Sequence, residues 1–268
     1  MKHNAPKDMP QWVHKAVETI NPEGSSHFLL VCEHASNRIP PALDRLGLSP
    51  EQIESHIAWD PGALEVARRL SSSLDAPLVA ACVSRLVYDC NRPPESPDAV
   101  CTLSENDPIP GNLNLTPAQH QARVEQVYEP FRQTLANLLA NRVTRQQPTL
   151  LVTLHSFVPV YKGVPREVEI GILHDSDSRL ADLMLEAPLN SPPRVVRRNE
   201  PYGPADGVTH TLKEHALPLG LPNVMIEIRN DLLQQSAGQQ QIADLLQQQL
   251  QRAARSLLSD HPTPPPTE

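Results

Sequence analysis

Three short apolar runs in this 268-residue chain each stop abruptly at a residue able to bind a metal or move a proton. Phe28-Leu29-Leu30-Val31-Cys32 runs into Glu33-His34, Leu150-Leu151-Val152-Thr153-Leu154 into His155, and Val224-Met225-Ile226 into Glu227. Runs this short and this rich in branched residues read as strands buried on both faces, the signature of a parallel sheet. In open α/β sheets, ligands bind in the crevice outside the carboxyl ends of the strands. Two histidines and a carboxylate delivered to those ends could therefore meet at one site.

Between these runs, strand-like and helix-like segments alternate. Pro61-Gly62 opens a pattern in which Leu64, Ala67, Leu70 and Leu74 share one apolar helix face, and residues 77–82 then read as a strand. Thr116-Pro117 makes an N-cap and first-turn pair for a helix running to about Arg142. A strand at 168–173, a helix near 178–186, a helix from Asp206 toward Ala216 and a Gln-rich helix from about Gln234 complete the order. Residues 93–116, dense in Pro, Asn, Asp and Ser, form a long loop of the kind that is usually functional or disordered. The expectation is one α/β domain over 26–257, with a mixed, mainly parallel central sheet flanked by helices. Residues 1–25 are expected to form a flexible arm and 258–268 a disordered Pro-rich tail.

Composition narrows the function. A formal net charge of −8 and a pI near 5.8 argue against nucleic acid or an anionic membrane as the main partner. With no run of eighteen apolar residues and a polar Met1–Gln11 lacking a signal core, a cytoplasmic protein is expected. Ten glycines against 29 prolines, and no glycine-rich phosphate loop, argue against nucleotide binding. The four cysteines form no Cys-x-x-Cys pair and read as free thiols.

Hydrolytic zinc sites take three protein ligands and leave one position for water, and the metal acidifies that water and polarises a carbonyl. His34 and His155 are the best ligand candidates because both follow predicted strands. A third ligand is less obvious. Asp60, just before a helix, serves equally well as an N-cap, and Glu33 and His56 are weaker candidates. Glu227 lies in an apolar context where desolvation raises a carboxyl pKa toward the range of a general base; a salt bridge to Arg229 is the structural alternative. Ser84-Arg85-Leu86-Val87-Tyr88-Asp89-Cys90-Asn91-Arg92-Pro93 is dense in groups that recognise carboxylates, although Asp89 could simply brace an arginine. Arg198, in the pair Arg197-Arg198, and Tyr202-Gly203-Pro204 supply further candidate anion contacts.

These residues resemble the N-formylglutamate amidohydrolases, the deformylases of histidine breakdown. The matching pieces are Glu33 through Pro40, His56 through Gly62, Ser84 through Pro93, Leu154-His155-Ser156, Arg198 through Gly207, and Glu227 through Asp231, in family order. The Ser-Arg-x-x-x-Asp-x-Asn-Arg string is the most specific. The resemblance implies a fold of the zinc carboxypeptidase and aspartoacylase type, with one Zn²⁺ held by two histidines and a carboxylate. It makes His34 and His155 the histidine ligands. It makes Arg85, Asn91 and Arg92 the carbonyl-polarising and substrate-binding groups, and Glu227 the general base. The wider group has its acidic ligand where this chain has Asn37, so Asp60 is assigned that role. The implied activity is zinc-dependent hydrolysis of a small N-acyl amino acid such as N-formylglutamate. A carboxypeptidase-like peptidase and a non-catalytic carboxylate-binding protein are the rivals.

Overall fold

The computed structural model describes residues 11–186 and 193–259. Among them, seven strands form one sheet: β1 (Val17–Ile20), β2 (Phe28–Cys32), β3 (Leu78–Ala81), β4 (Leu150–Phe157), β5 (Ile170–Leu173), β6 (Val196–Arg198) and β7 (Asn223–Arg229), in the spatial order β1-β3-β2-β4-β7-β5-β6. The central neighbours β3, β2, β4 and β7 run parallel, as do β5 and β6, whereas β1–β3 and β7–β5 are antiparallel. The sheet is thus mixed and mainly parallel, and the sequence reading of a single α/β domain holds.

Side chains alternate faces along each strand, and because both faces are covered the runs lose their polar positions. Phe28, Leu30, Cys32, Leu150, Val152, Leu154, Val224, Ile226 and Ile228 point into a core beneath α1 (Ala63–Leu74), α3 (Arg179–Leu185) and α4 (Ser236–Ser259). Leu29, Val31, Leu151 and Met225 point to the opposite core, closed by a long helix α2 over 117–144 that supplies Val127, Phe131, Leu135 and Leu139. Each fully buried Leu in these layers contributes roughly 1.5–3 kcal/mol. Thr116 caps α2 in a capping box with Gln119, as the sequence signals. The helix continues through a π turn at Val124–Tyr128 to Thr144.

Three expectations change. The arm expected over 1–25 is anchored from residue 11 onward, because β1 pairs with β3, Cys82 N–H donates to Ala16 O at 2.8 Å, and Val13 and Ala16 are buried. Its apolar positions are too few to announce a strand, yet it covers the edge that β3 would otherwise expose. The helix expected from Asp206 is broken at Gly207 (φ +68°) into a turn at Pro204–Asp206 and a π turn at Leu212–Ala216. The 93–116 loop holds turns at Pro97–Val100 and Pro110–Asn112 and a hairpin pairing Leu103–Ser104 with Asp107–Pro108. The Pro-rich end beyond Ser259 and the first ten residues lie outside the described residues. Among those described, no helix is long and apolar enough to cross a membrane, and all four cysteines are free.

Candidate active site

After β2 the chain leaves for β3 on one side, while β4 lies on the other. Such a divergence leaves a crevice at the carboxyl ends, and a cleft of about 540 Å³ opens there. His155 on β4 and Glu227 on β7 are register partners in a parallel ladder. They therefore point to the same face, and both are buried. His34 follows β2 directly. Asp60 is brought in by a turn whose backbone is tied to β2, with Asp60 N–H donating to His34 O at 2.9 Å. The turn needs Gly62 at φ +82°, where any Cβ would lie 2.4 Å from Leu233 Cβ. Gly62, not Asp60, is the N-cap of α1, so the capping alternative falls and the Asp60 carboxylate turns inward.

Three atoms converge there. His155 Nδ1 lies 2.9 Å from Asp60 Oδ2 and 3.2 Å from His34 Nδ1, and His34 Nδ1 lies 3.3 Å from Asp60 Oδ2. The other nitrogen of each ring faces a second carboxylate: His34 Nε2 is 2.7 Å from Asp89 Oδ1, and His155 Nε2 is 3.0 Å from Glu33 Oε2. The Asp89 carboxylate at hydrogen-bond distance favours the proton on His34 Nε2, and the charge of Glu33 favours it on His155 Nε2; in that tautomer the two Nδ1 lone pairs and Asp60 Oδ2 are aimed at one point. A tetrahedral metal with ligands at 2.0–2.1 Å separates them by about 3.3 Å, close to the edges seen. His34, Asp60 and His155 could hold a metal ion.

The charges agree. Burial pushes the carboxyls of Glu33, Asp60 and Asp89 up, but the histidines, with Arg85 at Asp89, outweigh it and hold all three below their ordinary values. Three carboxylates against one guanidinium, −3 + 1, leave two negative charges that suit a divalent cation. Glu227 differs. Burial is the largest effect on it and, with the charge of Asp60, lifts its pKa to about 7 against the opposing histidines and Arg85. Its Oε2 is buried and has no hydrogen-bond partner.

The remaining predicted residues divide. Arg85 stands beside this convergent group, Nη1 3.2 Å from His34 Nδ1 and 3.6 Å from Asp60 Oδ1, with Nη2 donating to Asp89 Oδ2 at 3.0 Å. Arg92 lines the cleft and donates to Asn91 O and Gly207 O. Asn91 lines it too, but both ends of its amide are engaged: Nδ2 donates to Val208 O at 2.5 Å and Oδ1 accepts from Thr211 N–H at 3.0 Å. Glu33 backs His155 rather than joining the three converging atoms, and His56 pairs with Glu105 at the rim (2.8 Å). Arg198 is not in the cleft. It pairs with Asp182 at 2.7 Å and with His174 at 3.0 Å. Strands β5 and β6 run against β7, so the chain at Arg198 is heading away from the site; Arg198 is level with Ile172, itself level with Ile226.

Sequence reasoning missed two things. Asp89 and Glu33 face the outer nitrogens of His34 and His155, pairings the sequence does not signal, since Asp89 lies 55 residues from His34 and Glu33 adjoins His34 yet faces His155. Arg166, which directly follows the returning strand of the Val160–Tyr161 and Val164–Pro165 hairpin, also lines the cleft; the signal available was an aromatic-flanked Gly turn just after the His155 strand.

Comparison with known proteins gives the family. A family model described as N-formylglutamate amidohydrolase matches residues 26–234. A solved gene product of Agrobacterium tumefaciens, Atu2144, is 53% identical, superposes with a TM-score of 0.89, and is matched over 91% of this chain and 96% of its own. The N-formylglutamate amidohydrolase of Ralstonia eutropha JMP134 is 18% identical with a TM-score of 0.61, over 91% of this chain and 99% of its own, a likeness of fold. No curated protein matches the chain. The family match spans β2 through the carboxyl end of β7 and so takes in every residue of the convergent group. The chain belongs to the N-formylglutamate amidohydrolase family and is a hydrolase of amide bonds.

Proposed function

We propose that this chain is a zinc-dependent hydrolase of N-acyl amino acids, N-formylglutamate among the candidate substrates, with Zn²⁺ held by His34, Asp60 and His155. The ion, when bound, supplies Lewis-acid polarisation of the scissile carbonyl and a lowered water pKa. The observation that carries the reading is Glu227: a buried carboxylate with an unpartnered Oε2 and a pKa lifted to about 7, in register with a histidine of the metal-ligating group. A base poised near neutral pH removes a proton from the attacking water and returns it to the leaving amine nitrogen.

Arg85 donates toward the oxygen on which charge develops. Its place beside His34, fixed by Asp89, makes it a preorganised donor rather than one that must move. Arg92 holds the amino-acid carboxylate, with Asn91 tying the 208–211 backbone in place behind it. The 93–116 loop contributes Ser104 and Glu105 to the lining, which favours a small acyl amino acid over a long peptide.

The test is Glu227→Gln assayed on N-formyl, N-acetyl and N-succinyl amino acids. Turnover should fall by about 10²–10⁴-fold with one zinc per chain retained. Near-normal hydrolysis in that variant would sink the mechanism. A wild-type protein that binds zinc yet hydrolyses none of the panel would leave the carboxylate-binding reading standing.

A further inference from the structure

Arg123, the last residue before the π turn of α2, is buried and pairs with no carboxylate among the described residues. Its fork goes to neutral oxygens instead. Nη1 donates to Val87 O at 3.1 Å and to Asn112 Oδ1 at 2.6 Å, and Nη2 donates to Gly111 O at 3.1 Å. A guanidinium buried without a counter-charge is costly, and burial pulls its pKa down to about 10. The oxygens it grips show what it does.

Val87 lies inside the turn that carries Arg85 and Asp89. These two are four residues apart and meet at 3.0 Å, as side chains at that spacing do when the backbone between them coils. The coil is one turn long. Val87 N–H closes it by donating to Ser84 O at 2.9 Å, and Ser84 Oγ anchors it to Ala58 O at 2.7 Å. A single turn does not hold itself in water, because it fixes several residues for one hydrogen bond and leaves its last carbonyls unpartnered. Here side chains take those carbonyls: Asn112 Nδ2 donates to Leu86 O at 2.8 Å, and Arg123 to Val87 O. A cation at the carbonyl end of a turn also suits the local dipole. A brace for the 93–116 loop alone would need Gly111 and Asn112, but not Val87.

We propose that Arg123 is a positioning residue: by holding the Val87 carbonyl it keeps the 84–89 turn coiled, and so sets Arg85 beside Asp60 and Asp89 against His34. Arg123 does not line the cleft; it acts through the turn on two groups at once. This rests on the reading above, in which Arg85 serves the reaction and His34 the metal.

The test is a double-mutant cycle between Arg123→Gln and Asp89→Asn, read by zinc affinity against a chromogenic chelator and by kcat and KM on the N-acyl panel. Arg123→Gln alone should raise the zinc dissociation constant by about 10-fold and lower kcat on the order of 10²-fold, at temperatures well below its Tm. In the Asp89→Asn background, where the turn has already lost its hold on His34, the same change should move zinc affinity by less than about 2-fold. Arg123→Lys, which keeps the charge and one carbonyl contact, should recover part of both losses, and it takes the place of Arg123→Gln in the cycle if that variant does not fold. A lowered Tm with wild-type zinc affinity and kcat would make Arg123 a loop brace and overturn the proposal, as would equal losses in both backgrounds. If the wild type takes up no zinc and turns nothing over, those readings fail on their own. The imidazole N–H proton of His34 facing Asp89, read by NMR in the metal-free protein, then decides. A resonance that Arg123→Gln shifts as Asp89→Asn does supports the proposal, and an unmoved one overturns it.

Discussion

Glu227 is buried on a strand, where an ionised carboxylate is costly, and the proposed mechanism uses it there as the base. The cost has a measurable sign. Its folded pKa of about 7 stands above the ordinary 4.5, so folding takes up a proton between those values. Stability from this group is full below about pH 4.5 and is lost as pH rises through 7. In chelator-treated protein, Glu227→Gln should therefore match wild type near pH 4.5 and exceed it at pH 8, by an amount on the order of 1–3 kcal/mol. Denaturant melts at the two pH values read this directly, and a variant less stable at pH 8 would refute the burial argument. Asp89 is the opposite kind of residue, a carboxylate worth its burial because it fixes the His34 ring. Asp89→Asn should lower zinc affinity about 10–100-fold with the fold intact, measured by competition against a chromogenic chelator. At this scale His34, His155 and Glu227 were legible because each ends an apolar run. Asp60 was half legible: local rules gave it a cap or a ligand role with equal force, and the Gly62 turn, which takes the cap position, removes the first. Asp89 and Glu33 were not, since their partners lie far away in sequence or on the opposite nitrogen of a ring.

Elements deliver these side chains, and two glycines show how. Gly62 turns the chain so that Asp60 meets the histidines; Gly171, level with Glu227 on the neighbouring strand, lets the Glu200 carbonyl lie where a Cβ would be 1.9 Å away. The segment so admitted carries Pro201 and Tyr202 into the cleft lining. The two positions should fail differently. Gly62→Ala, strained at φ +82° and against Leu233, should displace Asp60 and cost metal affinity as well as roughly 1 kcal/mol or more of stability. Gly171→Ala should leave the metal-ligating group whole, retain zinc, and reduce kcat/KM by displacing the Tyr202 segment. Zinc content beside activity for the purified variants separates the outcomes, and zinc loss in Gly171→Ala would break the distinction. Elements also explain the misplaced arginine. Arg198 follows a strand as the site residues do, but sequence does not reveal that β5 and β6 run antiparallel to β7, and strand direction decides which end of the sheet a residue reaches. The parallel core was legible because burial on both faces leaves continuous apolar runs; β1, short and half-buried, leaves none.

For the whole molecule, the convergent group links parts far apart in the chain: the end of β2, the turn before α1, and β4. A cation shared by His34, Asp60 and His155 therefore acts as a cross-link between segments 26 and 95 residues apart. Without one, the surrounding carboxylates must be balanced by a proton. Glu33 and Asp60 do this by raising the His155 pKa well above its ordinary 6.5 against the opposing effect of burial. A histidine with a raised folded pKa lends stability that is full below 6.5 and is lost as pH climbs through the folded value. Glu227 loses stability over a lower but overlapping range, so the metal-free protein should weaken steadily from pH 6 to 9. A metal displaces the His155 proton, so its binding strengthens over the same interval. The stabilisation by zinc, saturated at about 100 times its dissociation constant, is worth about 2.7 kcal/mol, or roughly 5–10 °C in a domain of this size. Melting the protein with zinc and with chelator at pH 6, 7, 8 and 9 should give a Tm gap that widens with pH. A gap that is constant or narrows would mean that the buried charge is balanced by the fold itself, and that the three converging atoms are a hydrogen-bonded cluster rather than a metal centre.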